Sequence, residues 1–214
     1  MTDTRPPTPE GRSPALGLGL TGLAGVALNV AAVAFLRPIP HAYRPEALEA
    51  WLAECAAAPQ ATAASGWAFT VGLVALAVFF LGLAAPATSS TFRAGAHWFA
   101  LGAVLDAAGT LAPIAAVHAG ASAGPALLQL SLLLDSAFNA CLGLGLVLLA
   151  LGSQGRWPAW LRAGSAVAGL LTVPVALQFF SPRAADLLLV AGPLWLAVVA
   201  VLSVRTVRRG PASA

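Results

Sequence analysis

The chain contains no lysine, and only 9% of its 214 residues are charged. The absence of lysine excludes retinal proteins and enzymes that form a Schiff base through a lysine amine. A soluble domain carries roughly 25% charged residues, so the few charges here cannot cover a water-facing surface. The only two cysteines, Cys55 and Cys141, are predicted in a loop and deep inside a helix. Their separation excludes a disulfide framework.

Hydrophobic residues make up 59% of the chain and occur in several separate runs. A run of roughly 18 to 20 apolar residues is long enough to cross a bilayer as a helix. The sequence therefore predicts an all-α fold, a polytopic bundle of six transmembrane helices in one domain, 15-204. A disordered tail, 1-14, precedes this domain and a second tail, 205-214, follows it. The predicted spans are 15-36, 66-86, 95-117, 126-151, 160-180 and 185-204.

The arginines predict the orientation of these spans, because short cytoplasmic loops are enriched in basic residues. With the N-terminus inside, the cytoplasmic side holds eight of them: Arg5, Arg12, Arg93, Arg156, Arg162, Arg205, Arg208 and Arg209. The outer side holds Arg37, Arg44 and Arg183. Both termini are thus predicted to be cytoplasmic. The basic residues are scattered at helix ends rather than gathered into a patch, which argues against a nucleic-acid partner despite the net charge of +3.

Three features near the membrane surface complete the predicted layout. The long outer loop, 37-65, carries an amphipathic pattern after Pro45 that favours a short helix lying on the bundle as a lid. Trp67, Trp98, Trp157 and Trp160 lie near span ends and predict an anchoring belt at the headgroups. Ala32-Val33-Ala34 fits a cleavage site for a signal peptide, but the first run is longer than usual for one, so we expect it to be retained.

Polar side chains inside the spans are the main candidates for function, because each is costly in hydrocarbon. Spacing of four places them in three stripes, each on one helix face. Small residues in these stripes allow close helix packing, so we expect the first, third and fourth spans to pack together. The stripes are Gly17, Thr21, Gly25 and Asn29; Trp98, Gly102, Asp106 and Thr110; and Ser131, Asp135, Asn139 and Gly143.

No arginine or lysine lies inside any predicted span, so Asp106 and Asp135 have no internal cation. Desolvation and mutual repulsion each favour a neutral carboxyl group, so the pair is expected to be protonated, to share a proton or to bind a cation. The candidate buried polar site is Asn29, Asp106, Thr110, Ser131, Asp135 and Asn139. Three uses stay open: an internal clasp that locks helices, a pathway for a small solute or protons, and membrane-embedded catalysis.

The sequence predicts no metal site and no cofactor. His97 and His118 lie near opposite membrane faces, without a second ligand at metal-binding spacing. Haem held by His41 and His118 is likewise not favoured, and the motifs of soluble enzymes are absent. Pro113 and Pro174, inside the third and fifth spans, predict helix kinks.

The segment Arg156-Trp157-Pro158-Ala159-Trp160-Leu161, before a Gly/Ala/Leu span, and Leu194-Trp195-Leu196 in the last span carry a resemblance. The layout resembles a broad group of uncharacterised bacterial six-helix integral membrane proteins that form a domain of unknown function. The resemblance implies the same architecture, but the group has no activity to carry over. The stripes around Asp106 and Asp135 match no motif of that group.

The sequence therefore predicts a multi-pass protein of a bacterial inner membrane, with a buried acidic site that binds or moves a small solute or protons. Lipid is the first expected partner; a second copy of the chain or a larger membrane complex is left open. The alternative functions are a membrane-embedded lipid-modifying or redox enzyme, and a helper subunit of a larger complex. An enzymatic role is the less favoured one.

Overall fold

A computed structural model describes residues 9–34 and 48–209. These residues form α-helices joined by short turns, with no β-strand in either range. The prediction of an all-α fold is confirmed. The helices are α1 (Pro9–Ala34), α2 (Leu48–Ala57), α3 (Pro59–Ala84), α4 (Ser90–Gly109), α5 (Ala112–Gly152), α6 (Ala159–Thr172), α7 (Pro182–Asp186) and α8 (Leu188–Arg209), with a 3-10 helix at Val173–Leu177.

Five helical segments are long and apolar enough to cross a membrane, which supports a multi-pass membrane protein. The longest, Ser90–Gly152, has 63 residues and contains two breaks. The first break, at Thr110 and Leu111, precedes Pro113, and the 3-10 helix begins one residue before Pro174. Both predicted proline kinks are confirmed, because a proline ring cannot continue the hydrogen bonding of a regular helix.

The second break lies at Gly120, where the backbone adopts φ +62° and ψ −156°. Glycine tolerates this positive φ because it has no Cβ. The chain reverses there, since residues before and after Gly120 meet in antiparallel order. Gly109 accepts a hydrogen bond from Ser131, and Gly95 lies against Gly145 further along. The segment is therefore a helical hairpin with its tip at Gly120.

The long helices form a closed ring in the order α1, α3, α4, α5, α6 and α8, with α8 returning to α1. The predicted packing of the first span on the third and fourth is wrong, because α1 packs on α3 and α8. A stripe of small residues identifies a face that can be approached closely, and in α1 this face meets Leu76 and Phe79 of α3 and Ser203 of α8.

Aromatic side chains fill the middle of the ring. Phe80 of α3 stacks on Phe99 of α4 with ring centroids 3.8 Å apart. Trp195 of α8 makes edge contacts with Phe99 and with Phe138 of α5. The ring therefore encloses a packed core at this level rather than an open channel.

The tryptophans divide into two groups. Trp67, Trp98 and Trp160 are exposed on the outside of the bundle, where headgroups can contact them. Trp157 is buried and packs edge-on against Phe92, so the prediction that it belongs to an anchoring belt is wrong.

Arginines bind the carboxyl ends of helices at one end of the bundle. Arg156 donates to the Leu83 carbonyl of α3, and its guanidinium lies 4.4 Å from the centre of the Phe92 ring. Arg162 donates to the Ala150 carbonyl of α5. Both interactions supply donors to backbone carbonyls that helix ends leave unpaired. We call this the arginine end of the bundle.

Some predicted boundaries differ from the structure. α1 already begins at Pro9, inside the predicted tail 1-14, and α8 extends to Arg209. α3 begins at Pro59, inside the predicted loop 37-65, and α2 is the short helix expected in that loop. The remainder of that loop at 37–47, with Arg37, His41 and Arg44, and the tails at 1–8 and 210–214, lie outside the described residues.

Candidate functional site: a buried acidic pair

The two intramembrane aspartates lie at the same level of the α4–α5 hairpin. Asp106 is 14 residues before Gly120 and Asp135 is 15 residues after it. At a rise of about 1.5 Å per residue, Asp106 lies roughly 21 Å from the hairpin tip and roughly 24 Å from Ser90. The Asp135 charge acts on the Asp106 carboxyl group, so the two are within electrostatic range. The hairpin thus brings both acids together near its middle.

Both carboxyl groups face away from lipid. Asp106 is 7% exposed, and its neighbours Leu101 and Val104 on α4 face outward. Asp135 is partly exposed, but the outward-facing Leu144 is nine residues away, or about two and a half helical turns, on the opposite side of α5. The accessible part of Asp135 therefore faces the interior of the bundle. Acidic groups in membranes are expected to face such an interior or a hydrated recess.

Gln178 is a member of the site that the sequence analysis missed. Its side-chain Nε2 donates a short hydrogen bond to Asp135 Oδ2. Gln178 is 1% exposed and follows directly after the 3-10 helix Val173–Leu177. The signal available was an amide side chain near Pro174 inside a predicted span. Spacing of four does not find it, because a 3-10 helix has a different period from an α-helix.

Several polar atoms around the acidic pair lack a hydrogen-bond partner. Asn139 donates through Nδ2 to the Asp135 backbone carbonyl at 2.8 Å, but its Oδ1 is buried without a donor. Gln178 Oε1 and Ser136 Oγ are also buried without a partner. Nor does any described residue donate a hydrogen bond to the Asp106 carboxyl group, because the other polar groups nearby are paired elsewhere. Unpaired buried polar atoms are uncommon, so their concentration here indicates a place for protons, water or an ion.

The remaining predicted site residues lie apart from the two carboxyl groups or bond elsewhere. Asn29 donates to Gly25 within α1 and lies against Gly72 of α3, so it does not join the pair. The Thr110 hydroxyl lies 2.9 Å from that of Thr70 and donates to the Ala107 carbonyl. Ser131 joins the two arms of the hairpin through its bond to Gly109. These bonds stabilise helix packing around the site.

No basic side chain among the described residues neutralises the pair. His97 is nine residues from Asp106 on α4, and its Nδ1 lies 2.6 Å from the Arg93 carbonyl. Residues 9–34 and 48–209 contain no group of three histidine, cysteine, aspartate or glutamate side chains that could hold a metal ion. The acidic pair therefore does not have the ligands that a transition metal requires.

An apolar cluster lies between the acidic pair and the hairpin tip. Trp51 and Cys55 of α2 pack against Leu128 and Leu132 of α5, with Phe179 beside them. Leu132 lies one turn from Asp135 and Leu128 two turns, so the cluster is on the route from the pair to that end. We call these residues the α2 plug. Burial raises the pKa of the Cys55 thiol, which disfavours the reactive thiolate.

Replacing Trp51 by alanine is expected to open the α2 plug. In a Cys141→Ser background, Cys55 of the wild-type plug should react slowly with a maleimide reagent at pH 7. The Trp51→Ala variant should react roughly tenfold faster, because a gap next to the thiol admits water and reagent and favours the thiolate. Mass spectrometry of the labelled protein measures the rate. The exposed Trp67, replaced by alanine, is the matched control. Equal Cys55 rates in all variants would show that Trp51 does not shield this end.

Comparison with known proteins gives no relative to place beside this site: no family, curated protein or solved structure matches the chain.

Proposed function

We propose that the protein binds protons at Asp106 and Asp135 and conducts them across the membrane. The observation that carries this proposal is the set of unpaired oxygen atoms beside two carboxyl groups without a cation. Asn139 Oδ1 and Gln178 Oε1 accept hydrogen bonds, and the Asp135 carboxyl group already receives one from Gln178. A proton on a carboxyl group adds an O–H donor, which is the group this cluster lacks.

The arrangement also suits reversible proton transfer. Two adjacent carboxyl groups in a poorly solvated layer share their titration, so one proton can move between them with little change in charge. Gln178 stabilises Asp135 as the ionised member by donating to it. Asp106 receives no hydrogen bond from the described residues, so it is the member that holds the proton. A hydrated recess on the interior side of Asp135 then supplies exchange with water.

The membrane layout that accompanies this function has six crossings, with the two arms of the α4–α5 hairpin counted separately. The arginine end faces the cytoplasm under the positive-inside rule, which places both termini there and the α2 plug on the outer side. The arginine-only, Ala/Leu/Gly-rich composition is typical of a GC-rich bacterium, so we propose the inner membrane. The resemblance to six-helix bacterial membrane proteins agrees with this layout.

A second candidate is a monovalent cation such as Na⁺. The same carboxylate and amide oxygens are hard ligands suited to such an ion, and the unpaired oxygens of Asn139 and Gln178 favour it specifically. A lipid-modifying or redox enzyme lacks such support, because the described residues around the pair contain no nucleophile, histidine or redox group. A helper subunit would use the pair only as a clasp between helices.

Proton flux into proteoliposomes tests the proposal. Purified protein is reconstituted with a pH-sensitive dye inside, and a potassium gradient with valinomycin sets the membrane potential. We expect internal acidification several-fold faster than in protein-free liposomes, and unchanged when external Na⁺ replaces choline. Flux equal to that of protein-free liposomes would refute proton conduction, and dependence on Na⁺ would favour the second candidate.

Leucine in place of Gln178 should change the pH dependence of this flux. Without its donor, ionised Asp135 loses stabilisation of roughly 1 to 2 kcal/mol, so the pair holds its proton to higher pH. The midpoint of the flux–pH curve should move upward by about one unit. Gln129→Leu is the matched control, because Gln129 is exposed on the same hairpin. A midpoint that stays in place in folded Gln178→Leu protein would contradict the role of Gln178.

A further inference from the structure

A groove opens between α6 and α8 at the arginine end of the bundle. Its floor is apolar and consists of Ala200, Val201 and Val204 of α8. Trp160, the second residue of α6, forms one side and is 61% exposed. Arg205 and Arg208 complete the lining at the end of α8. The groove lies far from the acidic pair, because Trp160 and Arg208 are at the end of the bundle.

Loose helix packing accounts for the groove. A Cβ added to Gly164 of α6 would lie 4.0 Å from its nearest neighbour, Val198 of α8. In contrast, a Cβ added to Gly169 on the same helix would lie 2.6 Å from the Gly143 carbonyl of α5. The glycines thus allow α6 to approach α5 closely, while α6 and α8 leave space between them. An acyl chain fits such a space between helices.

The chemistry of the lining changes along the groove. The apolar floor is suited to an acyl chain, and Trp160 to the headgroup level, where an amphipathic ring is most stable. Two arginines then supply donors for a phosphate, and no acidic residue lines the groove. Arg156 and Arg162 lie at the same end of the bundle, which increases the positive potential there.

We propose that this groove binds one anionic phospholipid from the inner leaflet, with its phosphate at Arg205 and Arg208 and one acyl chain along Val201 and Val204. Charge complementarity favours this occupant over a neutral lipid, since anionic lipids concentrate at the surface where basic groups gather. The apolar floor favours a lipid over free phosphate. The site is independent of proton binding at Asp106 and Asp135.

Lipid retention measured by native mass spectrometry tests this proposal. The full chain is purified in detergent, mixed with phosphatidylglycerol or phosphatidylcholine of the same acyl chains, and the bound fraction is compared. Wild-type protein should retain phosphatidylglycerol more than phosphatidylcholine by about tenfold, given about fivefold per arginine. Arg208→Gln should reduce this preference about fivefold. The double variant Arg205→Gln/Arg208→Gln should abolish it.

Arg93→Gln is the matched control, because Arg93 is an exposed arginine near the start of α4 and outside the groove. It should leave the preference unchanged. Trp160→Ala should weaken retention of both lipids without changing their ratio. Equal retention of the two lipids by wild-type protein would refute the proposal. So would an equal loss in Arg93→Gln and Arg208→Gln, or a dimer that covers the groove in place of lipid.

Discussion

Asparagine in place of Asp106 or Asp135 is expected to reduce proton flux through the reconstituted protein roughly a hundredfold, the lower end of what one proton-transferring side chain contributes. Asparagine has nearly the same shape as aspartate but cannot take up or release a proton. Each single variant should show this loss, because transfer between two carboxyl groups needs both. The measurement is the rate of internal acidification at a fixed membrane potential.

The control for this result must separate loss of proton binding from loss of folding. Asp186→Asn removes the same charge from the exposed side of α7 and should leave flux unchanged. Size-exclusion profiles and thermal unfolding in detergent show whether each variant is folded. Folded Asp106→Asn and Asp135→Asn proteins that conduct at the wild-type rate would make the pair an internal clasp. In that case both variants would be expected to change stability instead.

Alanine in place of Gly145 should destabilise the α4–α5 hairpin on which the site depends. Its Cβ would lie 2.9 Å from both the Gly95 carbonyl oxygen and the Phe99 backbone nitrogen. Both neighbours are backbone atoms, so α4 and α5 must move apart. Such overpacking costs about 1 to 3 kcal/mol, and the unfolding temperature in detergent should fall by several degrees.

Gly164→Ala is the matched control for that experiment. An added Cβ at Gly164 has space, because the nearest atom is 4.0 Å away. Alanine is the better helix former by roughly 1 kcal/mol, so this variant should be neutral or slightly more stable. The two substitutions are chemically identical and should act in opposite directions. Equal unfolding temperatures would show that the hairpin does not depend on the contact between Gly95 and Gly145.

The sequence predicts the membrane helices well because their signal is additive over many residues. Apolar length alone identifies every spanning segment, and Gly120 falls in the interval predicted to separate the third and fourth spans. Asp106 and Asp135 are at equal distances from this turn in the sequence, so their common level follows from the hairpin geometry. Helix ends were less accurate, since α1 and α8 extend beyond the apolar runs into polar residues.

Partner helices and irregular segments were harder to predict, for two physical reasons. A stripe with spacing of four identifies a face of α1 but carries no information on which helix will cover it, so Asn29 was grouped with the wrong helices. Gln178 follows a 3-10 helix, where the α-helical period no longer tells which way a side chain points. Its role became apparent only from the bond to Asp135.

The order of the hairpin and Gln178 in the chain has a consequence for biosynthesis. α4 and α5 are made before α6, so both aspartates reach the membrane before Gln178 has been synthesised. During that interval Asp135 has no donor from Gln178, and charge in hydrocarbon is costly. The hairpin is therefore expected to insert with both acids neutral, and the first proton to leave the pair should do so only after the fifth crossing has docked.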